Sequence, residues 1–503
     1  MTADVDVREA VAALLQRLTA VAPFLVGMGV DAAAAPAHTP QLPTTVGPLL
    51  ARLADSVAAN PSDARVWILA TAVAGGYPNS AEVSALRRKL ELAEPIDRSG
   101  AVMAAVAATA SAVRATVRAE VVSTTVVDVD FCAHHAHNTG IQRVVRNTVP
   151  HWMGAADAPV LVAWSPDGTG YRRLTPGQET LVLDWVSGLP SSTDDTNAAD
   201  LIIPIGAHVL LPEVPAHEFI ERLISLARNS DNAVGLIGYD AIPIVSADSM
   251  LEAESDRFAA YLGIVKHASV VSCISAATAE EFRGFRSSLG AQGLVGPEVL
   301  PLPLPVVAAA QPDASEPSRP SRERPLVLMV GSLEPRKNQP GVLSAAQLLW
   351  ARGIDFELQF IGGGSAWFLA GFQRQVDALA RQGRHVSIGS GFSDEQLALA
   401  YRDARVVAFP SLQEGYGLPV AEALATGTPV VTTRYGSTAE IAEQGGCLLV
   451  DPRSDDEIAD ALELLLVDDA AHATLVGQAL ARTNITWPDY ASALWSQLVG
   501  ADA

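Results

Sequence analysis

The chain has 503 residues, of which 49% are hydrophobic and 18% are charged, and its formal net charge is −22. A chain of this length is too long to fold around a single hydrophobic core, so we expect two to four globular domains. The acidic charge disfavours non-specific binding to nucleic acid and adhesion to anionic membranes.

The sequence predicts a soluble, cytoplasmic protein. Its three cysteines, Cys132, Cys273 and Cys447, lie far apart, which indicates no disulfide framework and fits a reducing cytosol. The charged N-terminus is unlike a signal peptide, and the alanine-rich run 101–113 is too short to span a bilayer. Peripheral contact with a membrane-held acceptor stays open.

Residues 1–120 are predicted to form a helical N-terminal domain. Apolar residues recur at helical spacing in 7–19, 47–58, 64–74, 80–92 and 100–119. This region carries no chemical motif, so we interpret it as a packing element and leave open homo-oligomerisation through it.

From Val121 the pattern changes to alternating strands and helices. Strands are predicted at 121–129, 160–164, 181–185, 201–204, 234–238, 269–274 and 298–304, and helices at 213–229 and 251–266. Such alternation is typical of a doubly wound sheet with helices on both faces. We therefore predict an α/β, Rossmann-like domain at 121–307.

A second Rossmann-like domain is predicted at 325–483. A linker rich in Pro, Ser and Ala (308–324) precedes it, and a capped amphipathic helix (484–503) follows it. Its predicted strands are 326–330, 356–361, 385–388, 405–409, 429–433 and 447–450. Two such domains place a ligand cleft between them, at the carboxyl ends of their strands.

The most informative segment runs from Glu414 to Glu422 and reads Glu-Gly-Tyr-Gly-Leu-Pro-Val-Ala-Glu. Pro419 suits the first turn of a helix, so we predict Glu414 in the preceding loop and Glu422 in the helix itself. The segment would present two carboxylates to a polyhydroxylated ligand, and its glycines would let the backbone approach that ligand closely.

A second segment, Gly331 to Asn338, reads Gly-Ser-Leu-Glu-Pro-Arg-Lys-Asn between a buried strand and a helix. Helix N-termini favour anions, and Arg336 and Lys337 add formal positive charge at this turn. A nucleotide diphosphate is the natural ligand of such a turn.

Together, the two segments resemble the retaining glycosyltransferases of the GT-B fold, specifically the GT4 family. The resemblance covers about residues 121–498 and is strongest in 325–455. It implies an acceptor-side domain and a donor-binding domain that face a cleft, with the terminal helix crossing back to the first domain. It also implies a nucleotide-diphospho-sugar donor, and it requires no cofactor and no metal.

The resemblance assigns roles to residues of the second domain. Arg336 and Lys337 would contact the donor diphosphate, Glu414 the transferred sugar and Glu422 the ribose hydroxyls. Other donor-binding residues are expected at glycine turns, near the base and at the start of the helix: Gly331, Ser332, Gly363, Phe392, Tyr416, Gly417 and Leu418.

In the first domain, the loop Thr139-Gly-Ile-Gln-Arg-Val-Val-Arg resembles a subgroup that includes bacterial mannosyltransferases of polysaccharide assembly. Gly140 and Arg143 are its expected donor-binding residues, and Thr139 is an expected N-cap. Many relatives have a histidine where Tyr239 stands here. We therefore expect Asp240, with Arg336, Lys337 and Glu414, to be catalytic.

Two sequence patterns resemble metal sites but lack the further ligands or the ligand spacing that a metal site needs. Asp128-Val-Asp130 ends a predicted strand with no third ligand in view, since alternation sends both side chains to one face. Cys132 and the neighbouring residues His134, His135 and His137 fit no standard zinc spacing. We expect this cluster to line the cleft, with one histidine available to contact the acceptor.

The predicted function is hexose transfer to a hydroxyl of a glycan, a lipid-linked sugar or a protein. GDP-mannose is the first choice of donor, with UDP-glucose and a rhamnose nucleotide left open. The alternative is a non-catalytic sugar-nucleotide-binding or scaffolding partner of a glycosylation complex, which Tyr239 favours and the intact glutamate and Arg-Lys pairs oppose. A GT-B phosphorylase or epimerase has no motif in its favour.

Overall fold

The computed structural model describes residues 7–26, 42–107, 112–138, 140–154, 158–185, 200–250, 252–305, 323–483 and 485–500. Within these residues, sheets of nine and six strands build two Rossmann-like domains, and a helical region precedes the first. This architecture confirms the predicted fold class. Most of the predicted linker, and Thr139, lie outside the described residues.

The N-terminal region is a set of packed helices. These are α1 (Val7–Val26), α2 (Val46–Ala59), α3 (Asp63–Ala74), α4 (Ser80–Leu92), α5 (Arg98–Ala107) and α6 (Ala112–Ala115). Local sequence explains their boundaries: Asn79 and Glu82 form a capping box at the start of α4, and Gly75 ends α3 in the left-handed conformation.

The first sheet contains β1 (Ala119–Val122), β2 (Val126–Asp128), β3 (Val160–Trp164), β4 (Tyr171–Arg173), β5 (Leu201–Pro204), β6 (His208–Leu211), β7 (Ala233–Gly238), β8 (Val270–Cys273) and β9 (Glu298–Pro301). Its order is β1-β5-β4-β3-β2-β6-β7-β8-β9, and β4 is antiparallel to both neighbours. The helices of this domain are α7 (Asp130–His134), α8 (Gly140–Trp152), α9 (Pro176–Leu183), α10 (Ile220–Asn229), α11 (Ile242–Val245), α12 (Glu252–Val265) and α13 (Ala276–Ser288).

The second sheet is parallel, in the order β12-β11-β10-β13-β14-β15. Its strands are β10 (Leu326–Val330), β11 (Glu357–Ile361), β12 (Val386–Gly389), β13 (Val406–Phe409), β14 (Val430–Thr433) and β15 (Cys447–Val450). The helices around it are α14 (Gln339–Ala351), α15 (Ala366–Arg381), α16 (Asp394–Asp403), α17 (Leu418–Ala425), α18 (Gly436–Ala442), α19 (Asp455–Val467) and α20 (Asp469–Leu480). Because β10 and β13 are neighbours, the loops that follow them meet at one edge of the sheet.

The last helix, α21 (Trp487–Leu498), packs on the first domain. The Trp152 indole N–H on α8 donates to the carbonyl oxygen of Ala491 at 2.9 Å, and Ser272 on β8 donates to Gln497 at 2.7 Å. The C-terminal helix therefore links the second domain to the first.

The helical region and the first sheet share one hydrophobic core. Tyr77, which follows α3, donates to the carbonyl oxygen of Ile202 on β5 at 2.6 Å, and its ring packs against Trp164 and Tyr171. The buried Arg17 in the middle of α1 donates to the carbonyl oxygen of Ala72 at 2.7 Å. The helical region therefore packs as a direct extension of the first domain.

The sequence-based prediction of a strand at 181–185 is wrong. Leu181 to Leu183 end α9, which starts with Pro176 after a capping box formed by Thr175 and Gln178. The predicted strand 121–129 is interrupted and forms β1 and β2, while β4 and β6 have no predicted counterpart. Short apolar runs do not by themselves distinguish a strand from a buried helix turn.

One described helix, α1, is long and apolar enough to cross a membrane by length and composition alone. Such a helix is weak evidence for a membrane span, because core helices share these properties. In this structure, residues such as Leu18, Val21 and Leu25 on α1 are buried in the first-domain core.

Candidate active site

The site is built at the carboxyl ends of the neighbouring strands β10 and β13. After β10 the chain turns through Pro335–Lys337, and Asn338 adopts the left-handed conformation before α14 begins. The Asn338 amide donates to the carbonyl oxygens of Pro410 at 3.1 Å and Pro452 at 2.7 Å. These bonds hold the basic turn against the loop that follows β13.

Glu414 and Lys337 form a nearly buried ion pair at this edge. The Lys337 ammonium lies 2.6 and 2.8 Å from the two carboxylate oxygens, and the side chains are 11% and 9% exposed. Arg336 Nη1 lies 3.2 Å from Glu414 Oε2, and the Ser411 hydroxyl donates to Oε1 at 2.6 Å. Burial would raise the pKa of Glu414, but the two cations lower it below its usual value.

Arg336 is fixed by further acceptors. Its guanidinium donates to the carbonyl oxygen of Gln413 and to Glu334, both at 2.7 Å. Burial acts to lower the pKa of Arg336, and Glu414 and Glu334 raise it above its usual value. Its Nε is buried without a hydrogen-bond partner in the described part of the chain. The site therefore holds Arg336 and Lys337 together through Glu414, with Glu334 as a second partner of Arg336.

Glu422 lies on α17 and bridges the two domains. Gly417, which precedes α17, has φ 107°, and a Cβ there would crowd the Thr438 methyl group at 2.8 Å. The Glu422 carboxylate accepts from Arg143 on α8 and from the Tyr401 hydroxyl, each at 2.9 Å. The space between α8 and α17 is about 10 Å³, which holds one water at most. In this structure, the domains are nearly closed at Glu422.

Asp240 follows β7 in the first domain and faces the basic turn. Its carboxylate accepts from the backbone N–H of Ile242 at 3.1 Å. Burial raises the pKa of Asp240, an effect that Arg336 and Lys337 oppose and that Glu414 reinforces. A Cβ at Gly415 would clash with the carbonyl oxygen of Tyr239, so this contact between the domains requires glycine.

Tyr239 has a packing role in the first domain. Its hydroxyl donates to the carbonyl oxygen of Pro212 at 2.7 Å, and the residue is 7% exposed. Burial raises the pKa of Tyr239 well above its usual value, so the phenol stays protonated. Asp240 is therefore the polar side chain that this loop offers to the cleft.

A cleft of about 520 Å³ opens beside Asp240 in the first domain. Its lining includes Ile141 from α8, Tyr239 and Asp240 after β7, and Phe258 and Tyr261 from α12. The cleft therefore begins where the Asp240 loop faces the Glu414 cluster.

Polar residues of both domains form hydrogen bonds across the interface around the site, and no sequence motif marks them. Gln413 donates to Glu281 at 2.6 Å and accepts a short bond from Ser246. Glu440 accepts from Ala277 and its neighbour at the start of α13. These polar residues lie outside the glycine and glutamate motifs, and only their placement in the fold identifies them.

The other expected donor-binding residues lie around the same edge. Gly331 ends β10 with φ 145°, Ser332 donates to Glu334 at 2.7 Å, and the carbonyl oxygen of Gly363 accepts from Leu333. Phe392 is 38% exposed after β12. Tyr416 donates to the carbonyl oxygen of Leu304 at 2.7 Å, so its side chain holds the domains together. The roles of these residues toward a donor stay predictions.

The two metal-like patterns have structural partners. Asp128 is buried, accepts from Tyr171 at 2.9 Å and Trp164 at 3.2 Å, and burial raises its pKa to about 8. His134 lies 3.0 Å from the Gln178 amide, and Phe131 packs near the rings of His135 and His137. The described residues contain no group of three His, Cys, Asp or Glu placed to hold a metal ion. A metal-free reaction remains a prediction.

Most of the second domain matches a known protein family. Residues 311–480 match the family described as Glycosyl transferases group 1. This match covers nearly all of the second domain. The chain is also 27% identical over 377 residues to the "Serotype-specific mannosyltransferase WbdA" of Escherichia coli, covering 69% of this chain and 42% of that protein. It therefore spans less than half the length of this relative.

Two further similarities bear on the site and the fold. The chain is 39% identical over 148 residues to the "D-inositol 3-phosphate glycosyltransferase" of Corynebacterium urealyticum, covering 28% of this chain and 34% of that protein. The solved structure "Trehalose-6-phosphate from E. coli bound with UDP-2-fluoro glucose" superposes with a TM-score of 0.50 at 13% identity, covering 75% of this chain and 99% of that one. The last similarity confirms the predicted GT-B fold.

Proposed function

We propose that this chain is a retaining glycosyltransferase that moves a hexose from a nucleotide-diphospho-sugar to an acceptor hydroxyl. The observation that carries the proposal is the Glu414–Lys337–Arg336 cluster, which faces Asp240 across the domain interface. GDP-mannose is the favoured donor, because a mannosyltransferase is among the relatives and the Gly140–Arg146 loop resembles those enzymes. The proposed location is the cytoplasm.

The cation pair supports binding of the donor diphosphate. Arg336 and Lys337 are held close together by Glu414, so little reorganisation is needed when negative charge develops on the leaving group. Glu414 would then accept hydroxyls of the transferred sugar. Glu422 would exchange Arg143 for the ribose hydroxyls, which frees Arg143 to turn toward the diphosphate.

The proposed reaction forms a bond between the acceptor oxygen and the anomeric carbon, while the bond from that carbon to the donor phosphate breaks. The acceptor attacks the transferred sugar from the same face that the leaving group occupies. The departing phosphate oxygen takes the proton of the acceptor hydroxyl. Asp240 would position the acceptor hydroxyl, since it lines the cleft and faces the cations. No divalent metal is required in this scheme.

Thermal unfolding with nucleotides tests the donor assignment. The midpoint is expected to rise with GDP and GDP-mannose above the rise with UDP, dTDP or ADP, because ligand binding to the folded state raises stability. The shift should persist with EDTA. An EDTA-sensitive shift would contradict the metal-free scheme, and no shift with any nucleotide would contradict the enzyme proposal.

Glu422→Gln is expected to weaken GDP-mannose binding about 10- to 100-fold, because a charge-assisted hydrogen bond to the ribose becomes a neutral one. The amide keeps the size of the side chain, and Tyr401 can still donate to its oxygen. Calorimetric titration measures the affinity. Glu463→Gln, on the exposed face of α19, is the matched control. Unchanged affinity in Glu422→Gln would remove the ribose role.

A scaffold that binds sugar nucleotides is the second candidate. The Arg143–Glu422 pair favours it, because this contact occupies the carboxylate that the ribose of a donor would need. The two proposals differ in one observable. A glycosyltransferase should hydrolyse GDP-mannose slowly without an acceptor, whereas a scaffold should release no GDP.

A further inference from the structure

The cleft beside Asp240 has a distinct chemical character. Much of its wall is apolar or aromatic and includes Val214, Ile220, Tyr239, Phe258 and Tyr261. A pocket of this size with aromatic walls suits a ligand that buries ring faces and makes selected hydrogen bonds. The charged side chains of the lining then decide which rings can enter.

The charged side chains of the cleft are mainly acidic. Its lining contains the three acidic residues Asp240, Glu218 and Glu254, with one arginine, Arg257, and one histidine, His217. Arg257 lies 3.3 Å from Glu254, so this cation is paired within the lining. The cations of the second domain, Arg336 and Lys337, are paired with Glu414 and are assigned to the donor diphosphate in the proposed reaction. The cleft therefore offers an anionic ligand two unpaired carboxylates and no unpaired arginine or lysine among its lining residues.

We propose that the cleft takes an uncharged, polyhydroxylated acceptor end and selects against phosphorylated sugars, with Glu218 as a specificity-determining residue. The inference rests on the glycosyltransferase proposal. The names of the relatives leave the acceptor class open, since one is a mannosyltransferase and another a D-inositol 3-phosphate glycosyltransferase. Unpaired basic side chains are the usual side-chain anchors of a phosphate, and the arginine and lysine residues of this lining offer none. Carboxylates instead accept hydrogen bonds from sugar hydroxyls.

Transfer from GDP-mannose to methyl α-mannoside and to mannose 6-phosphate tests this selectivity. The kcat/KM value for the neutral acceptor should exceed that for the phosphorylated one by roughly tenfold or more at low salt, since charges a few ångströms apart repel through solvent. Exposed charges are screened, so the ratio should shrink at high ionic strength.

Charge reversal identifies the residues responsible. Glu218→Lys should lower the selectivity ratio at least severalfold, because it places an unpaired cation on the cleft. Glu221→Lys makes the same change in net charge at an exposed position outside the lining and should leave the ratio unchanged. Equal ratios in the two variants would overturn the role of Glu218.

Equilibrium binding of both acceptors, measured with and without GDP, tests the selectivity of the cleft even if no sugar transfer is detected. Tighter binding of methyl α-mannoside than of mannose 6-phosphate supports the inference. Equal or tighter binding of mannose 6-phosphate overturns it, and so does failure of the neutral sugar to bind. Failure of GDP-mannose to bind overturns the glycosyltransferase proposal separately.

Discussion

Lys337→Met is expected to lower the rate of sugar transfer by about 10²- to 10³-fold, the usual effect of removing one preorganised charge from a transition-state site. The methionine fills similar space but cannot stabilise the departing diphosphate. Single-turnover release of GDP from GDP-mannose measures the chemical step. Arg352→Ala, which removes an exposed cation of the same domain, should leave this rate unchanged.

Stability must be separated from activity in this experiment. Breaking a buried ion pair typically costs about 3–5 kcal/mol, because one charge is left without its partner. The effect on Lys337→Met should be smaller, since Arg336 still lies 3.2 Å from Glu414. The double variant Lys337→Met/Glu414→Gln removes both charges and should recover stability in urea unfolding without recovering turnover. Recovery of turnover would show that the pair serves folding alone.

Most of this cluster could be predicted from the sequence, because two of its features depend on short sequence segments. Each of Lys337 and Glu414 follows a continuous apolar run, and such runs predict strands buried on both faces. Carboxyl ends of parallel strands share one edge of a sheet, so two loops after strands tend to approach each other. The distance of 2.6 Å between Lys337 and Glu414 required the additional fact that β10 and β13 are neighbours.

The contacts across the domain interface could not be predicted from the sequence. Arg143 and Glu422 are 279 positions apart, and helical spacing alone indicates neither the partner of Arg143 nor the closure of the domains. The same holds for Glu281 and Gln413, which carry no motif. Pattern predicts which residues face a cleft, but the relative placement of two domains decides which of them touch.

The first domain shows a related limit. The helical spacing at 7–19, 47–58, 64–74 and 80–92 predicts helices correctly, whereas the predicted helix 100–119 runs past α6 into β1. The spacing also says nothing about what the apolar faces of these helices cover. In the structure, these faces pack with β1 and β5 into the core of the first sheet. The three-residue strand β4 joins β5 to the rest of that sheet, and Tyr171–Arg173 is too short to show a strand pattern.

Asp240→Asn is expected to lower kcat by about 10²-fold, the size of loss seen when a reacting group is misplaced, because the variant weakens the positioning of the acceptor hydroxyl. The amide keeps the shape of the side chain and can still accept from the Ile242 N–H, but it loses the charge that faces the acceptor hydroxyl. Because burial raises the pKa of Asp240, the wild-type rate should fall on acidification at a pH above the usual aspartate range. The variant should lack this decline.

The stability of Asp240→Asn should move in the opposite direction to its activity. A carboxyl group with a raised pKa in the folded state binds its proton more tightly there than in the unfolded chain, so its contribution to stability is lost as the pH rises through the folded pKa. Near neutral pH the wild type therefore carries a buried charge that the variant lacks, and urea unfolding should show equal or greater stability in the variant. Asp128→Asn is the matched control, because burial also raises the pKa of Asp128 but it lies outside the cleft and should keep kcat. A parallel loss of stability and kcat in Asp240→Asn would assign Asp240 to folding, because a catalytic carboxylate in this position should cost stability and supply rate.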